Sequence, residues 1–231
     1  MINKGSYYIL LGLIGIIKNK EFNRKTKLLF IIDYLGLLIK LIKVFLFKAQ
    51  YSSVSIKAFN LKIYFKRFYS FFYIFNEVFC IGVYPVIYKL VTYIDAGAYI
   101  GISILWYHLF NPQLEIIAFE PNKENVFYLK KNLEVNYVKN VEINQICLGN
   151  KTGRSSFYLV DDPIQSLNSG LVLNRPYLPY SILKVKTDKL SKFIHKKISL
   201  LKMDVEGAVK KITASKIGIA DESRLKYFLL I

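Results

Sequence analysis

A chain of 231 residues has room for one α/β domain with an extension, and two full domains are excluded. At 53% hydrophobic and 16% aromatic it is a folding rather than a disordered sequence, although 33 Lys+Arg against 16 Asp+Glu leave a formal net charge of +17. Cys80 and Cys147 stand apart from each other and from His108 and His195, which argues against a zinc site, predicts no metal, and suits an intracellular, cytoplasmic protein.

The charge is uneven: residues 1–90 hold 14 Lys/Arg and 3 Asp/Glu. The same region opens with two apolar runs, YYILLGLIGII (7–17) and LLFIIDYLGLLIKLIKVFLF (28–47). The first is shorter than the roughly 20 residues a membrane span needs. The second carries Asp33, Lys40 and Lys43, each costing about 2.5–3.5 kcal/mol at the centre of a membrane helix. Residues 1–50 therefore read as a basic, apolar helical extension lying on a surface. Two surfaces remain open: a membrane interface contacted peripherally through residues 7–47, or the chain's own domain, 51–231. No small-residue cleavage site follows residue 17, which disfavours a signal peptide.

Within the domain, VSIKAFNLKIYF (54–65) predicts a strand pair turning at Asn60, and SFFYIFNEVFCIGVYPVI (70–87) a short helix followed by a Gly/Pro loop. A strand-helix rhythm then begins near residue 90: strand LVTYID (90–95), helix GISILWYHLF (101–110) stopped by Asn111-Pro112, strand LEIIAFE (114–120), helix 123–136, strand VEINQICLG (141–149). After an insert with strand-like 155–160 and 183–187 come a helix at 188–196, strand ISLLKMD (198–204), a helix at 207–215 and a last strand KYFLLI (226–231). Near-continuously apolar strands alternating with helices predict a mostly parallel sheet flanked by helices.

Ligands of such sheets sit outside the carboxyl ends of the strands, where strand order reverses. The first such turn reads Asp95-Ala96-Gly97-Ala98-Tyr99-Ile100-Gly101, a D-x-G-x-x-x-G spacing unlike the G-x-G-x-x-G of dinucleotide sites. A carboxylate there repels phosphate and attracts a cationic ligand. S-adenosylmethionine has that chemistry: an ammonium, a sulfonium and a ribose, with no phosphate. Gly97 would admit the backbone close to its methionine end, Ala98 lies in the same turn, and Gly101 would let the helix pack close. Glu120, 25 residues after Asp95, would accept the ribose hydroxyls, with Pro121 and Asn122 bordering the adenine. In LLKMDVEG (200–207), Lys202, Asp204 and Glu206 alternate onto one face at a strand's carboxyl end, a costly row unless paired or functional. They are the candidate catalytic group, with Asp204 first as base, Glu206 next, and Lys202 orienting them. Asp161, Asp162, Tyr177 and Tyr180 are candidates for the acceptor pocket.

Several segments in this order, FNEVFCIGVY, YIDAGAYIG, IIAFEPNKEN, LKKNLEVN, LGNKTG, QSLNS and LLKMDVEGA, resemble the FkbM-type S-adenosylmethionine-dependent methyltransferases over residues 70–209. The resemblance implies a class I Rossmann-like methyltransferase with Asp95, Gly97 and Gly101 near the methionine moiety and Glu120 on the ribose. It further implies O-methylation of a small-molecule or glycan acceptor, such as a sugar or secondary metabolite. Val209 stands where the family usually continues with Glu, and the seven-stranded sheet of that fold would need strands beyond Ile231. A C-terminally short sheet raises two expectations: self-association through the 226–231 edge, or a catalytically inactive protein that docks on membranes or partners. Nucleic acid is disfavoured as a partner, because the basic residues lie among apolar helical ones rather than on a stripe with stacking aromatics.

Overall fold

The computed structural model describes residues 4–160, 179–204 and 225–230. Helices α1 (Lys4–Lys18) and α2 (Arg24–Phe47) form an antiparallel hairpin. Asn23 caps α2 by accepting from the Thr26 amide at 2.9 Å, and left-handed Lys48 closes it. The hairpin is pinned to the domain by small residues and one polar knot. A Cβ at Gly12 would collide with Asn76 and Tyr34, and one at Gly15 with the Cys80 carbonyl, so α1 approaches closer than a larger residue would allow. The Tyr34 hydroxyl donates to Asn76 Oδ1 at 3.0 Å, and Asn76 Nδ2 donates to the Tyr8 carbonyl at 3.0 Å.

Strands β1 (Ser53–Ile56) and β2 (Leu61–Tyr64) pair antiparallel about left-handed Asn60, as their sequence suggests. Asp33 of α2 reaches this hairpin and accepts from the Ala58 amide at 2.8 Å, which explains the acid in an otherwise apolar helix. Helix α3 (Phe68–Phe75) then widens into a π-turn over Asn76–Ile81 that ends at left-handed Gly82. Phe65, Phe71, Phe75 and Phe79 stack along it, and Trp106 meets Phe79 edge-on.

The remaining elements are β3 (Thr92–Ala96), α4 (Ile102–Phe110), β4 (Glu115–Phe119), α5 (Lys123–Val135), β5 (Val141–Asn144), β6 (Cys147–Leu148), β7 (Gly153–Val160), β8 (Tyr180–Asp188), β9 (Ile198–Met203) and β10 (Leu225–Leu230). The main sheet has the order β10-β9-β3-β4-β5 with every pair parallel. The chain moves outward from β3 through β4 to β5, then returns to β9 on the other side of β3. The topological switch point therefore lies between β3 and β9, at their carboxyl ends. This is the α/β class expected, a parallel Rossmann-like sheet with helices and an N-terminal helical pair.

Alternate residues of the core strands enter different clusters. Tyr93, Ile116, Ala118 and Leu200 join the helices' apolar residues, while Ile94, Phe119, Leu201 and Met203 pack with Leu148, Leu190 and Phe193. Ile16, Phe22, Phe30, Tyr34 and Leu37 of the N-terminal segment belong to the first cluster, so the hairpin packs on its own domain along one face.

Two local expectations are corrected. The 141–149 strand is two: after Asn144 a tight turn, closed by the Ile146 amide on the Asn144 carbonyl, sends Cys147–Leu148 into a second sheet of order β6-β8-β7. The helix expected at 188–196 is a single 3-10 turn over Leu190–Lys192, because one turn already buries Leu190 and sets Phe193 edge-on to Phe119. The expected helix at 207–215 lies outside the described residues. The last strand is present as β10, parallel to β9.

Candidate active site

At the switch point the two central strands are in register, with Asp95 of β3 beside Lys202 of β9. Both side chains point to the helix-covered face and both are buried, Asp95 to 0% and Lys202 to 2% exposure. Lys202 Nζ donates to Asp95 Oδ1 at 2.9 Å and to the Gly97 carbonyl at 2.7 Å. The second Asp95 oxygen accepts from the Ser103 hydroxyl, in the first turn of α4. Asp204 lies 3.8 Å from Lys202, so the ammonium's closer partner is Asp95, across the strands, rather than the acid two residues along. Burial works against the Lys202 charge, but the carboxylates of Asp95 and Asp204 outweigh it and hold the pKa above the ordinary lysine range.

The glycine turn closes tightly over this pair. Gly97 and Ala98 amides both donate to the Phe119 carbonyl at 3.0 Å, and the Gly101 amide donates to the Ala98 carbonyl at 2.8 Å. Gly97 has φ +91°, and a Cβ there would collide with the Asp204 carbonyl oxygen. Only glycine serves at that position.

Glu120, 5% exposed at the end of β4, holds the turn from the other side. Its Oε2 accepts from the Tyr99 amide at 3.0 Å, while Oε1 accepts from the Asn122 amide at 2.9 Å and from Asn125 Nδ2 at 3.2 Å. Asn122 in turn caps α5, accepting from the Glu124 amide at 2.9 Å. Half-buried Pro121 bends the chain between them.

One acid missed by sequence reasoning belongs to the same group. Glu77 sits in the π-turn, close enough to the strand ends that Asp204 raises its pKa and Lys202 lowers it. The Tyr8 and Tyr73 hydroxyls are near enough to its carboxylate to lower its pKa, against the larger rise from burial. Its signal was available: it is the only charged residue in the apolar stretch 68–87, and an ionised side chain there is costly unless it has a partner or a task. Single-turn π-bulges also recur at functional sites. Burial raises the pKa of Glu77, Asp204 and Glu120 alike.

Ile74, Val78, Tyr84, Tyr99, Ile102 and Ser103 line a small cleft together with Gly97, Ala98 and Lys202. Lys202 of this lining is paired with Asp95 and lies near Asp204, and Glu77 feels both Asp204 and Lys202, so three carboxylates surround the one cation among the described residues of this group. Such a site favours a cationic ligand over a phosphate, and the Asp204 and Glu77 carboxylates, whose proton affinity burial raises, suit proton transfer. Among the described residues no group of His, Cys, Asp and Glu is arranged to hold a metal ion.

Residues 95–208 match the model of the methyltransferase FkbM domain. This segment is similar to the FkbM methyltransferase family. Methyltransferase 1 of Beauveria bassiana (strain ARSEF 2860) is 28% identical over 134 residues, covering 50% of this chain and 54% of its own. The crystal structure of methyltransferase FkbM from Methylobacillus flagellatus KT has a TM-score of 0.42 and 16% identity, covering 62% of this chain and 33% of its own. The chain thus spans about half the length of the curated relative and about a third of that solved chain.

Within the FkbM segment the structure brings together Asp95, Gly97, Ala98, Lys202 and Asp204, with Glu120, Pro121 and Asn122 at the neighbouring strand end. Gly101 stands apart from the cleft: a Cβ there would collide with Leu129, so it permits α4 to approach α5. Glu206, Asp161, Asp162 and Tyr177 lie outside the described residues. Tyr180 starts β8, where it is exposed and packs edge-on to Tyr158.

Proposed function

We propose that this chain is an S-adenosylmethionine-dependent methyltransferase acting on a hydroxyl of a sugar, glycan or secondary metabolite. The observation that carries the reading is the buried excess of carboxylate at the switch point of a parallel sheet, within an FkbM-family segment. S-adenosylmethionine, when bound, supplies an electrophilic methyl group on a positively charged sulfur.

The chain's own residues have three tasks. Asp95 and Lys202 neutralise each other and keep the Gly97 turn in place, so their part is to build the site rather than to touch the acceptor. Glu77 and Asp204 remain as the acids that attract the donor's positive charge. Glu120 would hold the ribose: a carboxylate has about four acceptor positions, three are taken by Tyr99, Asn122 and Asn125, and the spare one on Oε2 could accept a hydroxyl.

Asp204 is the half-buried carboxylate beside Lys202 and the candidate base. Asp204 would take the proton of the acceptor hydroxyl onto a carboxylate oxygen, leaving that hydroxyl's oxygen able to accept a methyl group from the donor. Burial raises its pKa toward the range useful for a base near neutral pH.

The test is incubation of the full chain with methyl-labelled S-adenosylmethionine and a panel of sugars, glycans and hydroxylated metabolites. Transfer of label to oxygen that falls by about 10²–10⁴-fold in Asp204→Asn is expected. Donor binding with no transfer to any hydroxyl acceptor would sink the catalytic reading and leave a ligand-binding module.

A further inference from the structure

The outer face of α2 is not explained by the methyltransferase site. Leu28, Ile32, Leu35, Ile39, Ile42 and Leu46 are each between 46% and 64% exposed. Their spacing alternates four and three, so at about 100° per residue they all fall within about 40° of one line along the helix. The opposite side of the same helix buries Phe30, Tyr34 and Leu37 against the domain. Thus α2 is apolar on two sides, and only one of them is covered among the described residues. The apolar surface widens at the helix end, where Phe45 and Phe47 are 79% and 75% exposed, and α1 adds Tyr7, Leu10 and Ile17.

Charge identifies the occupant. Residues 1–50 hold nine Lys/Arg and two Asp/Glu, and Asp33 is already committed to the Ala58 amide. Exposed Lys25 and Lys43, 18 residues apart and hence in line, flank the apolar stripe on one side. Exposed Arg24 and Lys48 stand at its two ends. The four-three spacing would also suit a coiled-coil seam with a second copy, yet the positions beside such a seam offer no acid to meet these lysines. Self-pairing would bring like charges together. An apolar stripe edged with cations fits a bilayer interface bearing acidic headgroups, where acyl chains take the leucines and isoleucines and anions take the lysines. In the described residues no helix is long and apolar enough to cross a membrane, so this is contact along a surface.

We infer that the outer face of the α1–α2 hairpin docks the protein on an anionic lipid surface. The inner side of the same hairpin carries Tyr8 against Glu77 and Tyr34 against Asn76, so the docking face and the candidate active site lie on opposite sides of one helical pair.

Cosedimentation of the full chain with phosphatidylcholine vesicles, with and without phosphatidylglycerol, tests this. Binding should require phosphatidylglycerol and weaken by about tenfold or more between about 0.1 M and about 0.5 M NaCl. Ile39→Glu and, separately, the double change Lys25→Glu/Lys43→Glu should each lower it by about tenfold or more. Circular dichroism should be unchanged in both. Should Ile39→Glu disturb the fold, Ile39→Gln carries the apolar arm. Absence of binding, equal binding to both vesicle types, or binding insensitive to these changes would overturn the inference. So would a dimer in light scattering that Ile39→Glu splits without any vesicle binding.

Discussion

The carboxyl end of the parallel sheet and the outer face of the N-terminal hairpin break the ordinary inside-outside rule in opposite directions. At the sheet, Asp95 and Lys202 are charged groups in the deepest layer of the protein. On the hairpin, six leucines and isoleucines of one helix face outward. Both arrangements cost stability unless something offsets them, and the offset differs. The charges find it within the chain, by pairing across β3 and β9, whereas the exposed stripe has no apolar cover among the described residues and calls for an outside partner. A rule broken and repaired internally marks a built site. A rule broken and left open marks a surface in search of contact.

The largest effect should come from breaking the internal repair. Lys202→Met leaves Asp95 buried without its cation, and a loss of about 3–5 kcal/mol is expected in urea unfolding. Adding Asp95→Asn to Lys202→Met should recover most of that loss, because a neutral pair needs no mutual charge compensation. If the double variant is as unstable as the single one, Lys202 is not there for Asp95.

A smaller effect separates the acids that hold structure from those that await a ligand. Burial raises the folded-state pKa of Glu77 above its ordinary 4.5, so folding favours the protonated form. Its ionised carboxylate therefore penalises the folded state above the folded pKa, and the penalty vanishes below the unfolded one. Glu77→Gln should melt up to about 2–4 °C higher than wild type at pH 8, with the difference closing as pH falls below the ordinary value. A lower melting temperature at pH 8 would assign Glu77 to structure instead. The smallest effect belongs to the open surface, where Ile39→Glu should move the melting temperature by less than about 1–2 °C while lowering vesicle binding by about tenfold or more.

Much of this was legible in the sequence for physical reasons. The strands containing Tyr93, Ile116 and Leu200 are apolar on both faces, which is how buried parallel strands read. The glycines of the turn announce close backbone approach, and Asn60 announces its hairpin. What was not legible depended on register. Asp95 and Lys202 are 107 residues apart, and only the pairing of β3 with β9 shows that Lys202 serves Asp95 rather than Asp204. Glu77 carries no role in the sequence pattern, because its place near Lys202 and Asp204 comes from a π-turn that no periodicity signals. The 188–196 segment has a helical pattern, yet Leu190 and Phe193 are buried by one turn and nothing further favours a helix. For the 28–47 helix the sequence allows two surfaces, domain or membrane. Tyr34 and Asp33 show that one face meets the domain, and the other face is exposed, which is where the lipid proposal applies.

The most direct measurement is calorimetric titration of S-adenosylmethionine into the full chain, repeated in buffers of different ionisation enthalpy from pH 5 to pH 8. Carboxylates with raised pKa lose protons when a cation binds beside them, so binding should be saturable, tighten as pH rises, and release protons. Glu77→Gln should weaken binding by about tenfold and reduce the proton release. No heat from the folded wild type, or binding that is unchanged across this pH range and in Glu77→Gln, would contradict the assignment of the acidic cleft to the methyl donor.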